Sequence, residues 1–121
     1  MEPQKRLITT PAGITLCRLD EIANGAARNF VIEMRAGRFH GFVVRRGKRL
    51  YGYVDRCPHM GLPLAHKLDD YLTPKGDLIA CDWHGGLFQI ADGACVGGPC
   101  KGQRLTPWPV IVAEDKIVTA S

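Results

Sequence analysis

An all-β domain is what this sequence predicts, and three observations predict it. Short β-like runs recur between clusters of Gly, Pro, Asn and Asp. Internal repeats and low-complexity tracts are absent. Hydrophobic residues make up 45% of a 121-residue chain, which suffices for one compact core and leaves no chain for a second independent domain.

The elements follow in order. Met1 to Ala12 mixes Glu2, Lys5 and Arg6 with no apolar segment behind it, so no secretory signal is expected. No run approaches the roughly 20 apolar residues of a membrane span, and the expectation is a cytoplasmic protein without a membrane partner. Cys17, in the apolar run Ile14-Thr15-Leu16-Cys17, reads as a small buried hydrophobe. Residues 19–27 hold the one candidate helical turn, since Asp20, Glu21 and Ala23 suit a helix start and Asn24-Gly25 stops it. Strands are expected at 30–34, 39–45 and 50–54, the last two forming a hairpin around Arg46-Gly47-Lys48-Arg49. Further strands are expected at 78–81 and 87–90, with Gly85-Gly86 between them, and at 110–113 and 116–120 across Glu114-Asp115. Residues 65–77, with Pro74 and Gly76, read as a surface excursion.

Cys57-Pro58-His59 and Cys81-Asp82-Trp83-His84 stand 21 residues apart. Each pair offers one thiolate and one imidazole, a set suited to zinc or to an iron–sulfur cluster with two His in place of two Cys. Zinc fingers pair two Cys close together and then two His three to five residues apart. One Cys and one His from each of two loops instead matches two Cys on one iron and two His on the other. His66 and His40 lack a partner Cys at such spacing and read as structural or solvated. Five cysteines in a chain without an export signal do not read as a disulfide framework. Cys95 and Cys100 bracket Val96-Gly97-Gly98-Pro99, near enough to cross-link, but a reducing compartment argues that they stay unbonded.

These motifs resemble those of the small, soluble, ferredoxin-like Rieske proteins. The resemblance rests on Cys57-Pro58-His59-Met60-Gly61, on 81–88, and on 93–99, where a third loop covers the cluster in that family. It implies a β-sandwich scaffold of the Rieske iron–sulfur-protein type, formed by about 1–55 and 102–121, with a cluster-binding lobe at about 56–101 inserted into it. It implies one [2Fe–2S] cluster per chain, held by Cys57, His59, Cys81 and His84 and surrounded by Gly61, Trp83, Gly85, Gly86, Phe88 and Pro99. The chain departs from the quinol-oxidising Rieske subunits in two ways. Leu62 and Trp83 stand where those carry a loop-bracing pair of Cys, and Gly86 and Phe88 stand where they carry a Ser and a Tyr that hydrogen-bond the cluster. Fewer donors leave the reduced cluster less stabilised, which points to a potential near the bottom of the Rieske range, about −150 mV.

The implied function is an electron-transfer ferredoxin with no catalytic site of its own. It would carry single electrons from a flavin-dependent reductase to a terminal oxygenase of a ring-hydroxylating or related system. Two alternatives are an accessory subunit of a larger reductase, such as a nitrite reductase small subunit, and a zinc-stabilised binding module. The net charge of +4 and the basic run 45–49 come without an aromatic stacking pattern, so no nucleic-acid partner is expected. Arg56, Lys67, Lys101 and Arg104 flank the three loops, which predicts a basic rim.

Overall fold

The structure, a computed structural model, describes residues 6–58, 64, 69–82 and 85–120. Ten strands are found among them: β1 (Arg6–Leu7), β2 (Thr15–Arg18), β3 (Ala27–Met34), β4 (Gly37–Arg46), β5 (Arg49–Val54), β6 (Leu78–Ala80), β7 (Leu87–Gln89), β8 (Cys95–Gly97), β9 (Val110–Ala113) and β10 (Lys116–Thr119). They form three sheets. β3 pairs along one edge of β4, while β1, parallel, and β5, antiparallel, share its other edge end to end. A second sheet runs β2-β10-β9 and a third β6-β7-β8. The expected all-β scaffold with an inserted lobe is what forms. No helix among the described residues is long and apolar enough to cross a membrane.

β4 is the wall on which the rest is built. Side chains alternate across a strand, so Phe39 and Val43 point one way and Phe42 and Val44 the other. All four are fully buried, which makes β4 a strand without a solvent face. Phe39 and Val43 pack with Cys17, Ile22, Phe30, Val54, Trp108 and Ile117 against the β2-β10-β9 side. Phe42 and Val44 pack with Tyr53, Leu64, Tyr71, Ile79, Phe88 and both motif cysteines on the lobe side. The same parity runs through the neighbours: Phe30 and Ile32 of β3 face the first cluster and Ala27 the second, as do Val54 and Tyr53 of β5.

Turn chemistry decides the hairpins. Arg46 pairs with Arg49 across Gly47-Lys48, and Gly47 sits at φ +63°, where only glycine is unstrained. Ala113 pairs with Lys116 across Glu114 and Asp115, both left-handed at φ 52° and 64° without glycine to ease the turn.

Three expectations need correction. Residues 19–27 make only a 3-10 turn, Leu19–Glu21, because the Glu21 carboxylate folds back to accept the Arg18 N–H at 2.6 Å and Ile22, buried, takes extended backbone. The 65–77 stretch is not wholly a surface excursion: Tyr71 is 2% exposed, and Leu72 bridges to Ile79. Cys95 and Cys100 are bonded to each other, since the turn through Gly98 at φ +83° brings their Cα atoms to 5.8 Å. Cys17 is buried as expected, and that burial pushes its thiol pKa up. β1, β2 and β8 were not foreseen.

Candidate metal centre

Each motif cysteine emerges where a strand ends. Cys57 follows β5 by three residues and Cys81 follows β6 directly. The first loop is anchored at Asp55, whose N–H donates to His40 O (2.9 Å) while the Arg56 N–H folds back on Val54 O (2.8 Å). The Asp55 carboxylate is 5% exposed, so it needs donors. It accepts from the Leu64 N–H (2.9 Å), the Tyr71 hydroxyl (2.8 Å) and the Asn29 amide (3.4 Å). The Tyr71 ring stacks on Phe42 at 4.2 Å, and burial together with the Asp55 charge pushes its hydroxyl pKa far up. Tyr71 therefore stays a donor at any ordinary pH.

The second loop is a tight turn. Cys81 N–H donates to Gly86 O (2.8 Å) and Gly85 N–H returns to Cys81 O (3.1 Å), with Gly85 at φ +70°. Leu64 joins the two loops. Its N–H is on Asp55, two residues before the first cysteine, and its carbonyl accepts the N–H of Asp82, the residue after the second (2.8 Å). Its fully buried side chain locks this junction into the lobe core. The third loop closes from above: at Gly98 a β-carbon would lie 2.9 Å from Gly85 O and from Gly86 Cα, so only glycine permits this approach. Phe88 is wholly buried and Gly86 buried beside it, whereas Gly85 and Pro99 are exposed.

Cys57 and Cys81 are 3% and 2% exposed, outside any disulfide, and belong to one buried cluster. Two thiols delivered to one core by two stitched loops fit a thiolate-held metal centre, because a bound cation offsets the charge that burial would otherwise penalise. His59, His84, Gly61 and Trp83, and with them Leu62, His66 and Lys67, lie outside the described residues.

Comparison with known proteins decides between the metals. The Rieske [2Fe–2S] domain model matches residues 13–114. The chain belongs to the Rieske [2Fe–2S] domain family. The family cofactor, a [2Fe–2S] cluster, comes with that membership, and the buried Cys57 and Cys81 suit it. The chain is 29% identical over 87 residues to ferredoxin CarAc of Metapseudomonas resinovorans, covering 72% of this chain and 74% of that one. A chain in the complex of reduced oxygenase and oxidized ferredoxin of carbazole 1,9a-dioxygenase is 28% identical, with a TM-score of 0.69 over 88% of this Rieske protein and 91% of that chain. The ferredoxin of carbazole 1,9a-dioxygenase from Nocardioides aromaticivorans IC177 shares the fold at 22% identity, TM-score 0.69, over 91% and 98% of the two chains.

Sequence reasoning found the cysteines and missed what holds them: Asp55, Leu64, Tyr71 and Asn29. One signal was present: Asp55 is a carboxylate two residues before Cys57, just after the uncharged run 50–54.

Proposed function

We propose that this Rieske protein is a low-potential ferredoxin that carries single electrons from a flavin-dependent reductase to a terminal oxygenase of the ring-hydroxylating kind. The observation that carries the reading is the pair of buried cysteines on two loops stitched through Leu64, in a chain similar along most of its length to dioxygenase ferredoxins. The cluster, when bound, supplies one-electron redox chemistry. Cys57, His59, Cys81 and His84 are its ligands in this reading, with Gly61, Trp83, Gly85, Gly86, Phe88 and Pro99 around it. The chain acts as a carrier, not an enzyme, and as one Rieske domain with its lobe at about 56–101.

What the residues do follows from their positions. Asp55 and Leu64 fix the spacing of the two cysteines, so that little rearrangement accompanies a change of charge. Phe88 and Gly86 offer no hydroxyl to the sulfurs, which favours the oxidised state and a low potential. Arg56, Lys101 and Arg104 are exposed around the three loops, and with Val96, 45% exposed in the third loop, they make the docking rim. A basic rim with an apolar contact suits an acidic face on the partner.

Metal and sulfide analysis of the purified protein tests this. Two irons and two acid-labile sulfides per chain, with the red-brown colour of the cluster, are expected; one zinc and no sulfide would overturn it.

A further inference from the structure

The third loop carries a second redox pair that electron carriage does not use. Cys95 opens β8 and is partly exposed, Cys100 is 1% exposed, and the two are bonded. Their bridge lies against the second ligand loop. A β-carbon at Gly86 would sit 3.1 Å from Cys100 Sγ and 3.5 Å from Cys81 Cβ, so the bridge and the ligand cysteine are neighbours across that glycine. Gly98, inside the bridged segment, rests on the Gly85–Gly86 backbone. That backbone makes the two hydrogen bonds closing the loop around Cys81, and the far side of the bridged segment returns through Gln103 N–H to Cys100 O and Cys95 N–H to Gln103 O.

We infer that Cys95–Cys100 is a two-electron thiol–disulfide site, opened by a dithiol reductant, and that opening it releases the third loop from Gly85–Gly86 and loosens the hold on Cys81. A thiolate of the dithiol attacks Sγ of Cys95, the more exposed residue of the pair, and forms a mixed disulfide as the Cys95–Cys100 bond breaks. Cys100 leaves as a thiolate and takes up a proton. The second thiol of the reductant, as thiolate, then attacks the mixed disulfide, Cys95 departs and is protonated, and the reductant ends as its own disulfide. Two electrons and two protons have passed to the protein. The bridge is thus a clamp whose state follows the thiol balance of its surroundings. It braces one ligand loop from the third loop, a place different from the inter-loop bridge that Leu62 and Trp83 cannot make.

Only one arm of the test rests on the cluster reading. Holoprotein purified in air is incubated with or without dithiothreitol, quenched in acid, alkylated in denaturant and mapped by peptide mass. Cys95 and Cys100 should resist alkylation before the dithiol and take it afterwards, while Cys17, Cys57 and Cys81 are alkylated in both. Hydrogen exchange of the Cys81 and Gly85 amides should quicken roughly tenfold on reduction, because opening a short closed loop restores its freedom. Cluster loss to a chelator, followed by visible absorbance, should quicken by a similar factor. Cys95→Ser/Cys100→Ser should show the fast values with or without dithiol, and where that variant does not fold, the reduced wild type carries the same comparison. Alkylation of both cysteines without dithiol, or exchange unchanged within about twofold on reduction, overturns the inference. A colourless protein would fault the cluster reading instead and leave the mass and exchange results to decide this one.

Discussion

The two faces of β4 each pack into a buried apolar cluster and are built for different ends. On one face, Phe39, Val43, Phe30 and Ile117 surround Trp108, whose ring lies 4.7 Å from Phe39 and whose indole N–H donates to Thr10 Oγ1 at 2.9 Å. That core is almost wholly hydrocarbon. On the other face, Phe42 and Val44 meet the buried Cys57 and Cys81, two tyrosine hydroxyls and a buried carboxylate. Hydrocarbon packing tolerates small rearrangements at a graded cost, whereas a buried polar network is costly as soon as one partner is missing. The first face sets whether the chain folds; the second sets where Cys57 and Cys81 sit.

Perturbing each face separately sharpens this contrast, and the largest effect belongs to the hydrocarbon side. A β-carbon at Gly52 would run into the Trp108 carbonyl, a backbone atom that cannot step aside. Gly52→Ala should lower unfolding stability by about 3 kcal/mol. Guanidinium denaturation should show the loss with and without cluster alike. Asp55→Asn should act the other way round. Replacing a carboxylate that accepts three donors by an amide with one acceptor atom costs about 2 kcal/mol, and the sharper consequence is a fall in iron per chain while the far-UV spectrum of the β-scaffold persists. A variant that unfolds globally without first losing iron would erase the distinction between the faces.

Alkali offers a third probe, because the lobe-side core alone buries tyrosine hydroxyls. Burial, with Asp92 nearby, pushes the Tyr53 pKa from 10.0 up to about 12, and its hydroxyl donates to Ile90 O. The unfolded chain ionises near pH 10 and the folded chain does not. Tyr53's contribution is therefore complete below pH 10 and is lost as pH climbs to about 12, at up to about 1.4 kcal/mol per pH unit. Stability curves of wild type and Tyr53→Phe should converge over that window; parallel curves would place the hydroxyl in water. Phe88→Tyr is subtler. A hydroxyl near the sulfurs should raise the midpoint potential in film voltammetry with cluster spectra intact, and a fall would mean the ring does not face the cluster. The smallest effect is electrostatic. Lys101→Glu should slow electron transfer to the oxygenase several-fold at low salt and hardly at all once the Debye length shrinks to about 8 Å, as stopped-flow mixing would record.

Local patterns were readable in the sequence and distant pairings were not. Both hairpins, the strands at 110–113 and 78–80, and Cys57 and Cys81 as strand-end residues all rest on signals within a few residues. The Asp55 network spans 16 residues to Tyr71 and 26 to Asn29, and no periodicity marks such partners. Tyr71 looked like loop because its neighbours are polar and proline- and glycine-rich; its burial comes from Phe42, on a strand 29 positions earlier by number. The expectation against a disulfide rests on compartment alone, and the turn at Gly98 that brings the sulfurs together is a matter of three-dimensional closure.

The lobe leaves and rejoins the scaffold at one place. Tyr53 bridges to Pro107, the Val54 N–H donates to Thr106 O, and the Trp108 N–H donates to Gly52 O. With both ends clasped side by side, the chain between them can change in length without moving either end, and each doubling of a flexible segment costs only about 0.6 kcal/mol in closure entropy. The exposed tip at Pro74-Lys75 is where such growth would go unnoticed by β4. A scaffold of this kind can pass through generations of insertion and trimming in its lobe, acquiring new contact surfaces for new partners, while the strand that carries both cores keeps its register.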